Sequence, residues 1–319
     1  MPTKKTPRRS NKRPFRLRNW SEYTQALRKR ASLTLWVDEA AVSGWIKQEL
    51  SGKRGASDYY SDSAILCCLT LKQIYHLPLR QLQGFIESVF ALMQVELPVP
   101  DYSTLSRRGE RLAARLPVKE QDAPLALVVD SSGFKVYGEG EWKVRLHGKS
   151  KRRTWRKLHL AIDEASQEVV GCVVTTNDYA DGEILTDLLE GIEPPIESVK
   201  ADGAYDQRSC YTQLAKRGIK AIIPPRKGAR IWQHGNCHSP ALSRDQNLRA
   251  IRAHGRNRWK QDSGYHQRSL VETGVYRLKT LFGDRLSARV FEGQATELFL
   301  RCAALNKMTH LGMPDSYAA

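Results

Sequence analysis

The chain has no apolar run approaching the length of a membrane span, and its first residues lack the apolar stretch of a signal peptide. It has no CxxC pair, and its six cysteines, Cys67, Cys68, Cys172, Cys210, Cys237 and Cys302, lie scattered. That pattern argues against a disulfide framework and points to a reducing, cytoplasmic setting. Acid is missing where base is dense. Residues 1–18 hold eight Lys or Arg and no acid, residues 143–157 again eight and none, and residues 244–260 six against Asp245 alone. The formal net charge is +17 and the pI about 9.7, a balance that favours a polyanionic partner, most often nucleic acid. An acidic membrane surface is the rival, but no basic amphipathic helix with an aromatic apolar face is present to dip into lipid. Three separate basic patches form what looks like a long phosphate-binding track.

With 319 residues and 41% hydrophobic content, the chain is long enough for two domains and a sizeable core. Residues 1–18 are too charged to fold alone and read as a disordered arm that orders on its partner. Residues 19–118 read as a helical DNA-binding domain: an apolar helix over 61–76, a second after Pro78 with apolar spacing at Leu79, Leu82, Ile86, Val89, Phe90 and Met93, and a third opened by a capping Ser103. The third carries Arg107, Arg108 and Arg111. Two readings stand open here, a helix-turn-helix whose last helix enters a major groove and a plain bundle with exposed arginines.

Near residue 124 the period changes. PLALVVD is a short apolar β run ending on Asp130, and RKLHLAID and EVVGCVVTT around EASQ read as a hairpin. A helix from Asp181, a strand ending near Asp202, a helix around YTQLAKRG and the strand IKAII follow, then a basic irregular insertion over about 224–260. The order β, β, β, α, β, α, β predicts an α/β fold, a mixed sheet with flanking helices in ribonuclease H-like order over residues 119–319.

The late segment YHQRSLVETGVYRLK, residues 265–279, is predicted helical. At about 100° per residue, Tyr265, Arg268, Glu272 and Lys279 share one narrow stripe, while Leu270, Val271, Val275, Leu278, Leu281 and Phe282 form the opposite, apolar face. A single acid among cations on a solvated face is ordinary i,i+4 pairing. It means more beside Asp130 and Asp202, two acids at the ends of strands, where sites form in open sheets. Converging carboxylates repel unless cations neutralise them, and hard divalent ions prefer oxygen ligands. Two Mg²⁺ ions about 3.5–4 Å apart suit phosphodiester chemistry. His234, Cys237 and His238 lack a fourth tetrahedral ligand, so zinc is not expected. GEGEW has neither the lysine nor the Ser/Thr of a phosphate-cradling loop and reads as a turn.

DSSGFKVYGEGEW, SVKADGAYD and the spacing Tyr-x2-Arg-x3-Glu-x6-Lys together resemble the catalytic blocks of bacterial insertion-sequence DDE transposases with the Y-R-E-K signature. The resemblance runs from about residue 19 to the C-terminus. It implies that Asp130, Asp202 and Glu272 are the catalytic, metal-binding triad, with Mg²⁺ as cofactor and Mn²⁺ able to substitute. It further implies that Tyr265, Arg268 and Lys279 contact the DNA backbone near the cleaved end. Arg107, Arg108, Arg111, Arg152, Arg153 and Arg156 complete the expected DNA contacts. The implied activity is cleavage at terminal inverted repeats followed by transfer of the 3′-OH to target DNA. The implied partners are double-stranded DNA and a second copy of the chain, at the bacterial nucleoid. An aromatic residue holding a flipped base is a further family feature, for which Trp232 and Trp259 stand between the second and third acids, each also suited to packing. Two alternatives remain: a ribonuclease H-like endonuclease that cuts without joining, and a non-catalytic DNA-binding protein derived from a transposase.

Overall fold

The computed structural model describes residues 15–37, 42–48, 58–112, 116, 118, 123–136, 155–233 and 241–318. Strand β1 (Phe15–Leu17) precedes helices α1 (Trp20–Lys29), α2 (Leu33–Trp36), α3 (Asp62–Tyr75), α4 (Leu79–Met93) and α5 (Tyr102–Gly109). Ser61 caps α3 through the Ala64 N–H at 3.1 Å. The cap of α5 is Asp101 rather than Ser103, its carboxylate accepting from the N–H groups of Ser103 at 2.6 Å and Thr104 at 3.2 Å. A carboxylate also complements the positive end of the helix dipole, which favours it over the hydroxyl.

The long strands follow: β2 (Leu125–Val136), β3 (Trp155–Asp163) and β4 (Val169–Thr176), then α6 (Leu185–Glu190), β5 (Ile196–Lys200), α7 (Arg208–Lys216) and β6 (Lys220–Ile222). The expected succession is found, in the sheet order β4-β3-β2-β5-β6. Strands β2, β3 and β4 are antiparallel neighbours, while β5 runs parallel to β2 and β6 parallel to β5. This is the mixed sheet of a ribonuclease H-like fold. The edge strand β4 is blunted by one side chain: the Asn306 amide accepts from the Val169 N–H and donates to the Val169 carbonyl, both at 2.8 Å.

The stretch predicted to be irregular is largely helical, with α8 (Ser243–His254) and α9 (Arg256–Asp262). Arg, Gln, Ala and Leu in SRDQNLRAIRAH are good helix formers, and the density of charge masked that propensity. Then come α10 (Ser269–Phe282), β7 (Arg285–Leu286), α11 (Phe291–His310) and β8 (Ser316–Ala318), which pairs with β1. Within the predicted basic arm, Phe15–Leu17 thus form a strand, and residues 1–14 lie outside the described residues.

The period-2 pattern of β2 divides its side chains between two cores. Leu125, Leu127 and Val129 pack with Leu185, Leu188 and Leu189 of α6 and Tyr211 and Leu214 of α7. Val128 and Phe134 turn the other way and share a larger cluster with Val271, Leu278 and Phe282 of α10, Leu298 and Leu305 of α11, and Ile65, Leu82, Ile86 and Leu105 of the N-terminal helices. The N-terminal helices and the sheet therefore close over one continuous apolar core. Among the described residues no helix is long and apolar enough to cross a membrane.

Candidate active site

Strand β2 does not stop at Asp130 but continues to Val136, paired with β3 as far as Lys135↔Trp155. What ends near Asp130 is its other neighbour. Pairing with β5 is last seen at Val128↔Lys200, and β7 takes up that flank only at Lys135↔Arg285. Asp130 and Ser132 sit in this gap. Asp202 follows the end of β5 by two residues and lies close enough for its charge to act on the Asp130 carboxyl. Asp202 opens a 3₁₀ turn (Gly203–Tyr205), its carboxylate accepting from the Ala204 N–H at 2.8 Å.

Helix α10 lies across the face of β2 that carries Asp130. Gly274 permits the approach, since a Cβ there would stand 2.4 Å from Cδ1 of Ile162. The apolar side predicted for this helix is found, with Val271, Leu278 and Phe282 buried and Leu270, Val275 and Leu281 packed against the cluster. The helix begins later than predicted. Tyr265–Arg268 form a 3₁₀ turn entered through Gly264, whose φ of +64° favours glycine, and Glu272 sits in the first turn of α10 proper.

This geometry brings the residues of the stripe to the gap in β2. The Arg268 guanidinium donates to Asp130 Oδ2 at 3.0 Å and also to Glu272, so one cation bridges two of the three acids. Lys279 Nζ donates to Ser132 Oγ at 2.8 Å and stands over the Phe134 ring. Tyr265 stacks against the buried Trp259, ring centroids 5.4 Å apart. Burial pushes the Asp130 carboxyl up; the Ser131 N–H and Arg268 offset this only in part, and Asp202 and Asp181 reinforce it. Burial likewise raises the Tyr265 hydroxyl and lowers the Lys279 ammonium. Arg268, although burial works against its charge, is held above the ordinary guanidinium range by Tyr265, Glu272 and Asp130.

The outer arginines divide. Arg107 and Arg111 are exposed. Arg108 is 8% exposed, and its guanidinium is occupied by the Tyr60 carbonyl at 2.9 Å, Asp58 at 3.3 Å and Asp62. It clamps the start of α3 rather than facing outward. Arg156, half-buried on β3, donates to Gln294 at 2.6 Å and covers the Phe291 ring. Arg152, Arg153, His234, Cys237 and His238 lie outside the described residues, as does GEGEW. Both tryptophans pack: Trp232 lies under the buried Arg244 guanidinium at 3.8 Å and edge-on to Tyr211, and Trp259 donates to Asn247 at 3.1 Å.

One acid escaped the sequence reading as anything but a helix-start residue. Asp181, in a 3₁₀ turn after β4, accepts from Ser131 Oγ at 2.8 Å and pairs with Lys157 at 2.6 Å. The signal was the pair of serines after Asp130, small hydroxyls on successive faces of the strand that each take a partner across it.

Over 90% of this chain and 75% of the other, the structure shows a likeness to a piggyBac transposase, solved by cryo-EM as a synaptic complex with hairpin DNA, at 12% identity and a TM-score of 0.40. A family model described as "Transposase DDE domain" matches residues 28–139, and a second of the same description matches residues 122–307, more than half of the chain. The chain belongs to the DDE transposase family.

Proposed function

We propose that this transposase cuts DNA at the terminal inverted repeats of an insertion sequence and joins the freed 3′-OH to target DNA, with Asp130, Asp202 and Glu272 as its catalytic acids. The observation that carries this reading is the placement of Asp130 and Glu272 on one guanidinium beside Asp202, at a gap in the central strand.

The donor set is all carboxylate oxygen, which suits Mg²⁺, with Mn²⁺ as a substitute. As the side chains stand, no three Asp, Glu, His or Cys among the described residues converge closely enough to hold an ion. Arg268 lies between two of them, so the acids come together only when its guanidinium turns away. A phosphate offers that guanidinium a comparable bidentate partner, so substrate binding and assembly of the acids would be linked. When bound, such ions stabilise charge on phosphate oxygens and lower the pKa of water. The protein's own share is binding and orientation. Arg268, Lys279 and Tyr265 hold the backbone at the cleaved end, and Arg107, Arg111 and Arg156, with Arg152 and Arg153, extend the contact. Two element ends must be held together, which calls for a homodimer on DNA.

The test is Glu272→Gln on supercoiled DNA carrying the flanking inverted repeats, with and without Mg²⁺, breaks mapped to the nucleotide. Metal-dependent breaks at the repeat ends followed by joining are expected of the parent, and their loss with DNA binding retained is expected of the variant. A fully active Glu272→Gln would sink the reading, and breaks never joined would favour the endonuclease.

A further inference from the structure

The face of β2 turned away from α10 carries a second polar cluster that this mechanism leaves unused. Ser131, one residue after Asp130, points to that face and donates to Asp181 Oδ1 at 2.8 Å. Lys157 Nζ lies 2.6 Å from the same oxygen and 2.9 Å from the Tyr179 carbonyl. His159, fully buried, donates to or accepts from Thr175 through Nε2 at 3.0 Å, while its Nδ1 stands 3.8 Å from Asp181 with no hydrogen-bond partner among the described residues. Tyr205, 1% exposed and three residues after Asp202, also has an unpartnered hydroxyl, close enough to Asp181, Asp130 and Asp202 for each to raise its pKa.

The Asp181 turn touches the Asp202 turn as well. Gly182 packs so tightly on Gln207 that a Cβ would come 2.7 Å from its Nε2, and the Gly182 carbonyl accepts from Cys210 Sγ at 3.2 Å. One short segment thus braces β2 next to Asp130 and abuts the turn that holds Asp202, where β2 has lost β5 and not yet met β7. His159 Nδ1 and the Tyr205 hydroxyl are both buried without a partner among the described residues and both lie near the Asp181 carboxylate, a setting that suits an ordered water because buried polar atoms are nearly always partnered.

We propose that Asp181 is a positioning residue for the Asp130–Asp202 pair, acting through Ser131 and through one buried water shared with His159 Nδ1 and the Tyr205 hydroxyl. The inference rests on the reading of Asp130, Asp202 and Glu272 as metal-holding acids. Supporting groups behind metal ligands typically change affinity about 10–100-fold when removed.

The test is Mn²⁺ titration by calorimetry of the full chain bound to a pre-cleaved duplex carrying one flanking repeat end, comparing Asp181→Ala, Ser131→Ala, the double variant and Ser131→Thr. Single-turnover cleavage at saturating DNA and DNA affinity are measured in parallel. Expected are Mn²⁺ affinities about 10–100-fold weaker in both single variants, a double variant no weaker than Asp181→Ala, recovery in Ser131→Thr, slower cleavage and unchanged DNA affinity. Parental Mn²⁺ affinity in Asp181→Ala overturns the proposal. If Asp181→Ala fails to fold, Ser131→Ala decides, weaker binding supporting the proposal and parental binding overturning it. Asp130→Asn separates the two levels. Mn²⁺ binding that survives it defeats the proposed function itself, whereas binding lost there but untouched by Asp181→Ala defeats only this inference.

Discussion

The two faces of strand β2 carry opposite kinds of polar interruption. Toward α10, the apolar rows of Val128 and Phe134 are broken by Asp130 and Ser132, and the partners are long cations, Arg268 and Lys279, reaching in from a half-exposed helix face. Toward α6 and α7, the row of Leu127 and Val129 is broken by Ser131, whose partner is an acid already satisfied by a lysine. The titrations diverge in the same way. Burial leaves Asp130 raised despite Arg268. Burial also opposes ionisation of Asp181, yet hydrogen bonds from Lys157 and Ser131 outweigh it and hold that carboxyl below its usual range. One face keeps an acid short of compensation. The other settles its acid fully. On the proposed reading, a strand that presents a carboxylate for chemistry is braced from behind and left short of compensation in front.

The largest expected effect lies on the working face. Asp130→Asn should lower strand cleavage at least about 10³-fold, as loss of a catalytic carboxylate does, while DNA retention in a gel-shift assay stays near parental. Next is the support that carries α10. Glu297 and Arg301, both 4% exposed, pair at 2.6 Å; Arg301 also binds Gln73 and the Gly283 and Arg285 carbonyls, and Glu297 accepts from Ser287 and Ala288. Glu297→Ala strands a buried guanidinium and should cost about 3–5 kcal/mol in urea unfolding. Removing both charges together, as Glu297→Leu with Arg301→Met, should cost less than the single change, and a double variant no better than the single would remove the ion pair from the account.

A pH series sharpens the contrast between the faces. A carboxyl raised in the folded state favours folding most below its unfolded pKa and loses that contribution as pH rises through the raised value. Asp130→Asn should therefore gain stability relative to the parent as pH climbs from about 3 to 7 in metal-free buffer. Asp181 has the opposite sign: its stabilisation is present above the unfolded pKa and is lost as pH falls through the lowered one. Asp181→Asn should lose most near neutrality and converge on the parent in acid. Parallel curves for the two variants in urea unfolding would erase the distinction. The smallest effect is expected at Gly264, where φ is +64°: Ala should cost about 1 kcal/mol and, by shifting Tyr265, weaken DNA binding more than metal binding.

Much of this was legible in the residues. Strand alternation and the hairpin at EASQ gave the succession of strands and helices, and the stripe through Glu272 gave the face of α10 that looks at the site, because periodicity reports burial directly. What escaped depended on partners distant in sequence. Nothing local told that Arg108 would be buried against Asp58 and Asp62, or that β2 would run past Asp130. The helices α8 and α9 were hidden because the charge that dominates their composition masked the helix propensity of their Arg, Gln, Ala and Leu residues. Asp181 was read as opening a helix, whereas it lies in a 3₁₀ turn ahead of α6, and its engagement with a serine on a neighbouring strand is a property of the sheet and not of the segment.

The Asn306 amide on Val169 bears on how this protein keeps to itself. An exposed edge strand is a template on which another chain can polymerise, and proteins commonly blunt it with charge, proline or a bulge. Here a carboxamide from the long C-terminal helix imitates one residue of a neighbouring strand and fills that rung of the ladder. Val169 and Asn306 are both buried, so α11 covers this part of the edge while its amide supplies the missing hydrogen bonds. Asn306→Leu would leave the Val169 N–H and carbonyl buried without that partner and should cost about 1–3 kcal/mol in urea unfolding.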